Sequence, residues 1–177
     1  EMLVHGADAG ENAADFAKSV KQESMDRDVL NNAIQNAVAP LEQNSSKNPA
    51  GLRRVVQQKA HKCLSPVRNH EELHEFMEFI NDIKQVELPN LGVTSKSLLY
   101  NKGWLDVLEL KNMVHILGIA AQSAMARTES RGVHFREDFP DTDNNFWLKE
   151  SIAKWSSDEI IIDYRPVTVT DTELPTG

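Results

Sequence analysis

The sequence predicts a mainly α fold, an antiparallel three-helix bundle (spectrin-repeat-like) followed by a short C-terminal β-hairpin. Three observations carry this expectation. Apolar residues recur at helical spacing in three long segments, separated by breaks at Ser65-Pro66 and Pro89-Asn90-Leu91-Gly92. The last of these segments is apolar around most of its circumference, as a helix flanked by neighbours should be. Beyond Pro140 the pattern changes to two short runs with a polar turn between them. The chain has 177 residues, 40% apolar and 26% charged, the composition of a folded globular protein. A chain of this length buries about 70% of its unfolded surface, enough for a core that needs no metal or disulfide.

The opening Glu1-Met2-Leu3-Val4 has no initiator methionine and no cap, and it reads as a cut through a longer chain. Small residues (Gly6, Ala7, Ala9, Gly10, Ala13, Ala14, Ala17) then dominate a helical stretch. Gly6-xxx-Gly10 matches a membrane dimer spacing, but in a soluble chain it fits close packing on an absent neighbour better. No strand–GxGxxG–helix unit occurs. From Asp28 to Glu42, Val29, Ala33, Ile34, Ala37, Val38 and Leu41 keep helical spacing, with Asp26 or Asp28 as N-cap. The polar Gln43–Pro49 stretch is a linker. Leu52, Val55, Val56, Ala60, Cys63 and Leu64 form the stripe of the next helix. Asn69 caps the one after it, with Glu71 and Glu72 in its first turn and Leu73, Phe76, Met77, Ile80 and Ile83 on its buried face. The longest helix is expected from about Ser95 to Thr128. Trp147–Trp155 and Glu159–Tyr164 read as strands joined at Ser156-Ser157-Asp158, and Pro166 confines the second to an edge. The resulting division is 1–24, 25–140 and 141–177.

Charge narrows the partners. Nineteen basic against 27 acidic residues give a net charge of −8, which disfavours nucleic acid and direct contact with an anionic membrane. Met113–Ala126, about 14 residues, is too short to span a bilayer. A single cysteine and the lack of a charged-then-apolar leader imply a reducing, cytoplasmic setting. Asn44-Ser45-Ser46 matches a glycosylation acceptor, read here as a polar loop.

Two constellations could carry chemistry. His70-Glu71-Glu72-Leu73-His74 satisfies H-E-x-x-H, the helical zinc arrangement of metalloproteases. Met77 and Ile80 stand where the longer metzincin pattern needs Gly and His, so ordinary surface polarity is the better reading and a zinc hydrolase a remote alternative. No nucleophile elbow supports a Ser-His-Asp site. Cys63, on an apolar stripe, reads as a core residue. The densest polar cluster is Arg127-Thr128-Glu129-Ser130-Arg131-Gly132-Val133-His134-Phe135-Arg136-Glu137-Asp138-Phe139-Pro140. Spacing alone leaves two readings open. One is a helix C-terminus with Arg127 and Arg131 at the dipole and Gly132 as the C′ residue; the other is a buried polar interface with another domain.

That segment resembles the R-x-E-S-R-G-x-H-x-R-E-D-[YF]-P signature of the flavoprotein subunits of succinate dehydrogenases and fumarate reductases. Asn101 with Leu108-Glu109-Leu110 resembles the family's lead-in to the long helix, Trp147-Leu148-Lys149 and Asp163-Tyr164-Arg165-Pro166-Val167 its closing hairpin, and Glu1–Ala17 a helix of its flavin domain. The match covers nearly the whole chain and is weakest from Met25 to Asn48. Arg136-Glu137-Asp138 favours this branch over aspartate oxidases; thiol- and quinone-dependent members are not separated. The resemblance implies that the flavin-binding glycines, the histidine that can carry FAD and the substrate-holding and proton-transferring residues lie upstream of Glu1. This chain would then hold no catalytic, cofactor-binding or metal-binding residue, with FAD belonging to the parent protein. Residues 1–24 would belong to the flavin domain. Arg127, Glu129, Ser130, Arg131, His134, Arg136, Glu137 and Asp138 would face that domain, with Arg131 also reaching the last carbonyls of the long helix. The implied partners are the flavin domain of the same protein and an iron–sulfur subunit, and the implied location is the cytoplasm, peripheral to the inner face of the membrane through partner subunits. A freestanding helical interaction module is the alternative.

Overall fold

The computed structural model describes residues 2–21, 24–43, 47–156 and 159–168. The chain forms two compact units, 1–37 and 38–177. The first holds α1 (Met2–Ser19) and most of α2 (Arg27–Glu42). Asp26 starts α2, its Oδ1 accepting from the Asp28 backbone N–H at 2.8 Å.

The second unit is mainly helical with a small antiparallel hairpin. Its helices α3 (Pro49–Cys63), α4 (His70–Asp82) and α5 (Lys102–Ala126) pack on one another pairwise. Each begins at an asparagine whose side-chain carbonyl accepts a first-turn N–H: Asn48 from Ala50, Asn69 from Glu72, Asn101 from Trp104. The core joins Val56 and Cys63 of α3, Phe76 and Ile80 of α4, and Val107, Leu110, Val114 and Ala121 of α5, with Ile83, Leu91 and Val93 from the connection. Each Val, Leu, Ile or Phe among them contributes roughly 1.5–3 kcal/mol before entropy.

Several details depart from the sequence reading. α5 begins at Lys102, not near Ser95, because Tyr100 takes φ 53° and reverses the chain immediately before the Asn101 cap. Upstream, Ser97 Oγ accepts the Leu99 N–H in a local turn instead of a helical bond. The helix also ends early, at Ala126, since Arg127 is extended (φ −88°, ψ 109°). Val55, Leu105 and Ile116 are exposed, so neither stripe is wholly covered. After α4 the chain makes a π turn (Ile83–Glu87) and a 3-10 turn (Leu88–Asn90). Gly92 then passes so close to the earlier chain that a Cβ there would sit 2.3 Å from the Gln43 carbonyl oxygen.

Two short sheets complete the unit. β1 (Val67–Arg68) pairs in parallel with β2 (Phe135–Arg136), Val67 beside Phe135 and Arg68 beside Arg136. β3 (Lys149–Ser156) and β4 (Glu159–Pro166) form the antiparallel hairpin, from Lys149↔Pro166 to Ser156↔Glu159. It starts two residues after the expected Trp147, whose buried ring packs at the end of α5 instead. Ser157 and Asp158 of the expected turn, and Asn44–Ser46 of the expected linker, lie outside the described residues. Gln122 of α5 ties the hairpin down, its Nε2 donating to the Ile160 carbonyl at 2.9 Å. No helix among the described residues is long and apolar enough to cross a membrane.

Candidate functional site

The chain leaving α5 folds back on the helix end in a succession of tight turns, and three arginines organise it. Arg136 is 1% exposed. Its Nη1 donates to the carbonyls of Ala124, Met125 and Arg127 at 3.0, 3.2 and 3.1 Å, satisfying acceptors that a helix terminus leaves without intrahelical partners. Its other edge grips Asp138 bidentately, Nε to Oδ1 at 2.8 Å and Nη2 to Oδ2 at 2.6 Å. The Arg136 guanidinium holds the Asp138 carboxyl below its usual range, against the opposing pull of burial. Capping of the α5 carbonyls therefore belongs to Arg136, not to Arg131. Gly132 is not the C′ residue: at φ 58° it turns the loop between Arg131 and His134, whose backbones bond each other at 2.8 and 3.0 Å.

Glu129 is the second centre and is fully buried. Oε1 accepts from Arg127 Nη1 and from Arg131 Nε at 2.9 Å, while Oε2 accepts from Arg131 Nη2 at 3.0 Å and the Asp143 N–H at 2.9 Å. Burial raises its carboxyl pKa, but the bonds from Arg131, Asp143 and Arg127 together outweigh that and leave it below the ordinary range. Arg127 continues to the hairpin, bonding the carbonyls of Trp147 and Lys149 at 3.1 and 2.6 Å and lying 5.0 Å from the Trp147 ring. Ser130 Oγ accepts the Arg136 N–H and donates to the Phe139 carbonyl, both at 2.8 Å. His134 Nε2 lies 3.3 Å from the Arg127 carbonyl oxygen. Burial, aided by Arg68, Arg136 and Arg127, pushes its pKa down despite that contact.

The same segment reaches α4. Glu137 Oε2 accepts from Asn69 Nδ2 at 2.9 Å, and Asp138 Oδ2 from the His70 N–H at 3.2 Å. All eight residues singled out from the sequence thus lie in one connected network. Its heart (Glu129, Ser130, Arg136) is buried, whereas Gly132, Val133 and Phe135 form an exposed tip. Sequence reasoning missed Arg68, Asp143 and Asn144, the last accepting from Arg131 Nη2 at 2.8 Å. A two-residue strand leaves no periodic signal to point to Arg68.

The other candidates look different. His70 and His74 stack at 6.2 Å between ring centroids, and His74 meets Glu78 at 3.7 Å. Among the described residues no group of three His, Cys, Asp or Glu could hold a metal, so the H-E-x-x-H pentapeptide finds no third ligand there. Cys63 is buried in the core, and burial pushes its thiol pKa up. Among the described residues the one parallel pairing is two residues long, and no glycine-rich turn links a strand to a helix N-terminus.

A family model described as the fumarate reductase flavoprotein C-terminal domain matches residues 53–176. The chain belongs to that family. The succinate dehydrogenase flavoprotein subunit of Rickettsia bellii is 31% identical to this flavoprotein C-terminal domain over 175 residues, covering 96% of the chain and 29% of that protein. The fumarate reductase flavoprotein subunit of Mycobacterium tuberculosis is 28% identical over 178 residues, covering 96% and 30%. Among solved structures, a Mycobacterium smegmatis Sdh1 complex in the apo form aligns at 25% identity and TM-score 0.82, over 95% of this chain and 29% of that one. A quinol-fumarate reductase with menaquinol molecules shares the fold at 23% identity and TM-score 0.80, over 93% and 29%. The chain thus spans less than a third of the length of the curated relatives it matches, 29% and 30% of these two.

Proposed function

We propose that this domain is the non-catalytic helical buttress of a FAD-dependent oxidoreductase that interconverts succinate and fumarate. The observation that carries the reading is the family match, which runs through the network built on Glu129 and Arg136. FAD, bound upstream, supplies the redox chemistry. The residues of this chain hold the helical domain rigid and present a shaped polar surface to the flavin domain. Glu129 and Arg136 fix the loop, and Arg127, Ser130, Arg131, His134, Glu137 and Asp138, with the tip at Gly132 and Val133, form or support the face that docks. Residues 1–24 belong to the flavin domain, 25–140 form an antiparallel, spectrin-repeat-like bundle and 141–177 extend it. The pairwise packing of α3, α4 and α5 supports the bundle. The open faces of Gly6 and Gly10, where a Cβ meets nothing within 4 Å, support close packing of α1 elsewhere. An iron–sulfur subunit is the further partner, and the assembly sits at the inner face of the membrane through other subunits.

The test uses succinate with an artificial electron acceptor. The 177-residue chain should be colourless and inactive, and the full flavoprotein yellow and active. Stoichiometric flavin on the chain alone would overturn the buttress assignment.

A further inference from the structure

Arg68 stands apart from the network that surrounds it. The β1–β2 register sets it directly beside Arg136, and neighbouring strands lie about 4.8 Å apart, so two guanidinium-bearing residues run in parallel. Arg136 is neutralised by Asp138. Arg68 has no acidic partner among the described residues, and its buried Nε donates to nothing. Desolvation and the Arg136 charge both disfavour its cationic form. A partly buried arginine in this state lacks an anion. Val67 and Phe135, the preceding pair of the same ribbon, turn to its opposite face and are exposed, as is Val133 at the loop tip, to 81%. An arginine with an unpaired buried Nε, on a ribbon whose other face carries exposed apolar side chains, has the makings of an interface anchor.

We propose that Arg68 receives an Asp or Glu carboxylate from the flavin-binding part of the same flavoprotein, and that the same docking covers the exposed Val67, Val133 and Phe135. A small anion would satisfy the guanidinium but leave these exposed apolar side chains uncovered, which favours a protein carboxylate. The inference rests on the docking reading above and assigns it an anchor.

The experiment compares Arg68→Met and Arg68→Lys in the full flavoprotein and in the 177-residue chain. In the full protein, limited proteolysis at the junction between the two parts reports how often they separate. Arg68→Met should raise that rate at least about 30-fold, the lower end of what removing one member of a buried charge pair costs, and Arg68→Lys less. In the 177-residue chain Arg68→Met should leave the melting temperature unchanged or raise it. A fall of several degrees there would reveal an internal partner and overturn the proposal. So would stabilisation of the wild-type chain, but not of Arg68→Met, by millimolar inorganic phosphate or succinate, which would assign the site to a small anion. If the wild-type junction is protected and Arg68→Met equally so, the anchor alone is wrong. If the wild-type junction is unprotected, the docking reading fails and the anchor with it.

Discussion

Replacing Glu129 by Gln keeps the size of the side chain and one acceptor oxygen, but removes the charge that Arg127 and Arg131 share. Glu129 is fully buried and accepts four bonds, three of them from guanidinium groups. Removing one member of a buried ion pair costs about 3–5 kcal/mol because the partner charge stays behind. Here the Arg131 side chain is 36% exposed and can re-hydrate, which favours the lower end, about 3 kcal/mol. With a urea slope of about 2 kcal/mol/M, the midpoint of the 177-residue chain should fall by about 1.5 M at pH 7. The sign with pH follows from the depressed folded pKa. The carboxylate's contribution is fully present above its unfolded value of 4.5 and is lost as pH falls below it. Wild type and Glu129→Gln should therefore converge in acid. A loss under about 1 kcal/mol at pH 7, or a gap unchanged at pH 3, would refute the claim that this charge organises the loop.

Arg136→Lys cannot cap three carbonyls and grip Asp138 together, so it should cost about 3 kcal/mol in urea unfolding; a loss under about 0.5 kcal/mol would count against the cap. Gly92→Ala drives a methyl into the Gln43 carbonyl and should destabilise by about 1–3 kcal/mol. Gly10→Ala should be neutral or stabilising in the 177-residue chain, by up to about 1 kcal/mol, yet lower the melting temperature of the full flavoprotein if α1 packs closely there. The folded pKa of His134 lies below 6.5, so the unfolded chain takes up the proton first and stability should fall as pH drops below 6.5; His134→Gln should flatten that part of the profile.

Helices were legible where stripe and cap agreed. Asn69 with Leu73, Phe76 and Ile80 defines α4 both in sequence and in structure. The N-terminus of α5 was not, because the apolar run Leu98-Leu99-Tyr100 continues the composition of the helix while the left-handed Tyr100 and the Asn101 cap end its geometry. The polar segment after α5 was recognisable as a unit, but not the division of labour within it. Which arginine caps the helix depends on a turn at Gly132 that carries Arg136 back beneath Ala124, and spacing does not encode that return. Arg68 was invisible because its significance lies in a cross-strand register with a residue far along the chain.

Amide hydrogen exchange across residues 131–139, compared between the 177-residue chain and the full flavoprotein, tests the central claim most directly. The Gly132–Val133 tip is exposed in the chain alone. If this domain buttresses the flavin domain through the loop after α5, exchange at the tip should slow markedly in the full protein, while the Val107–Val114 core of α5 changes little. Identical exchange at the tip in both proteins, with new protection elsewhere in the domain, would contradict the account.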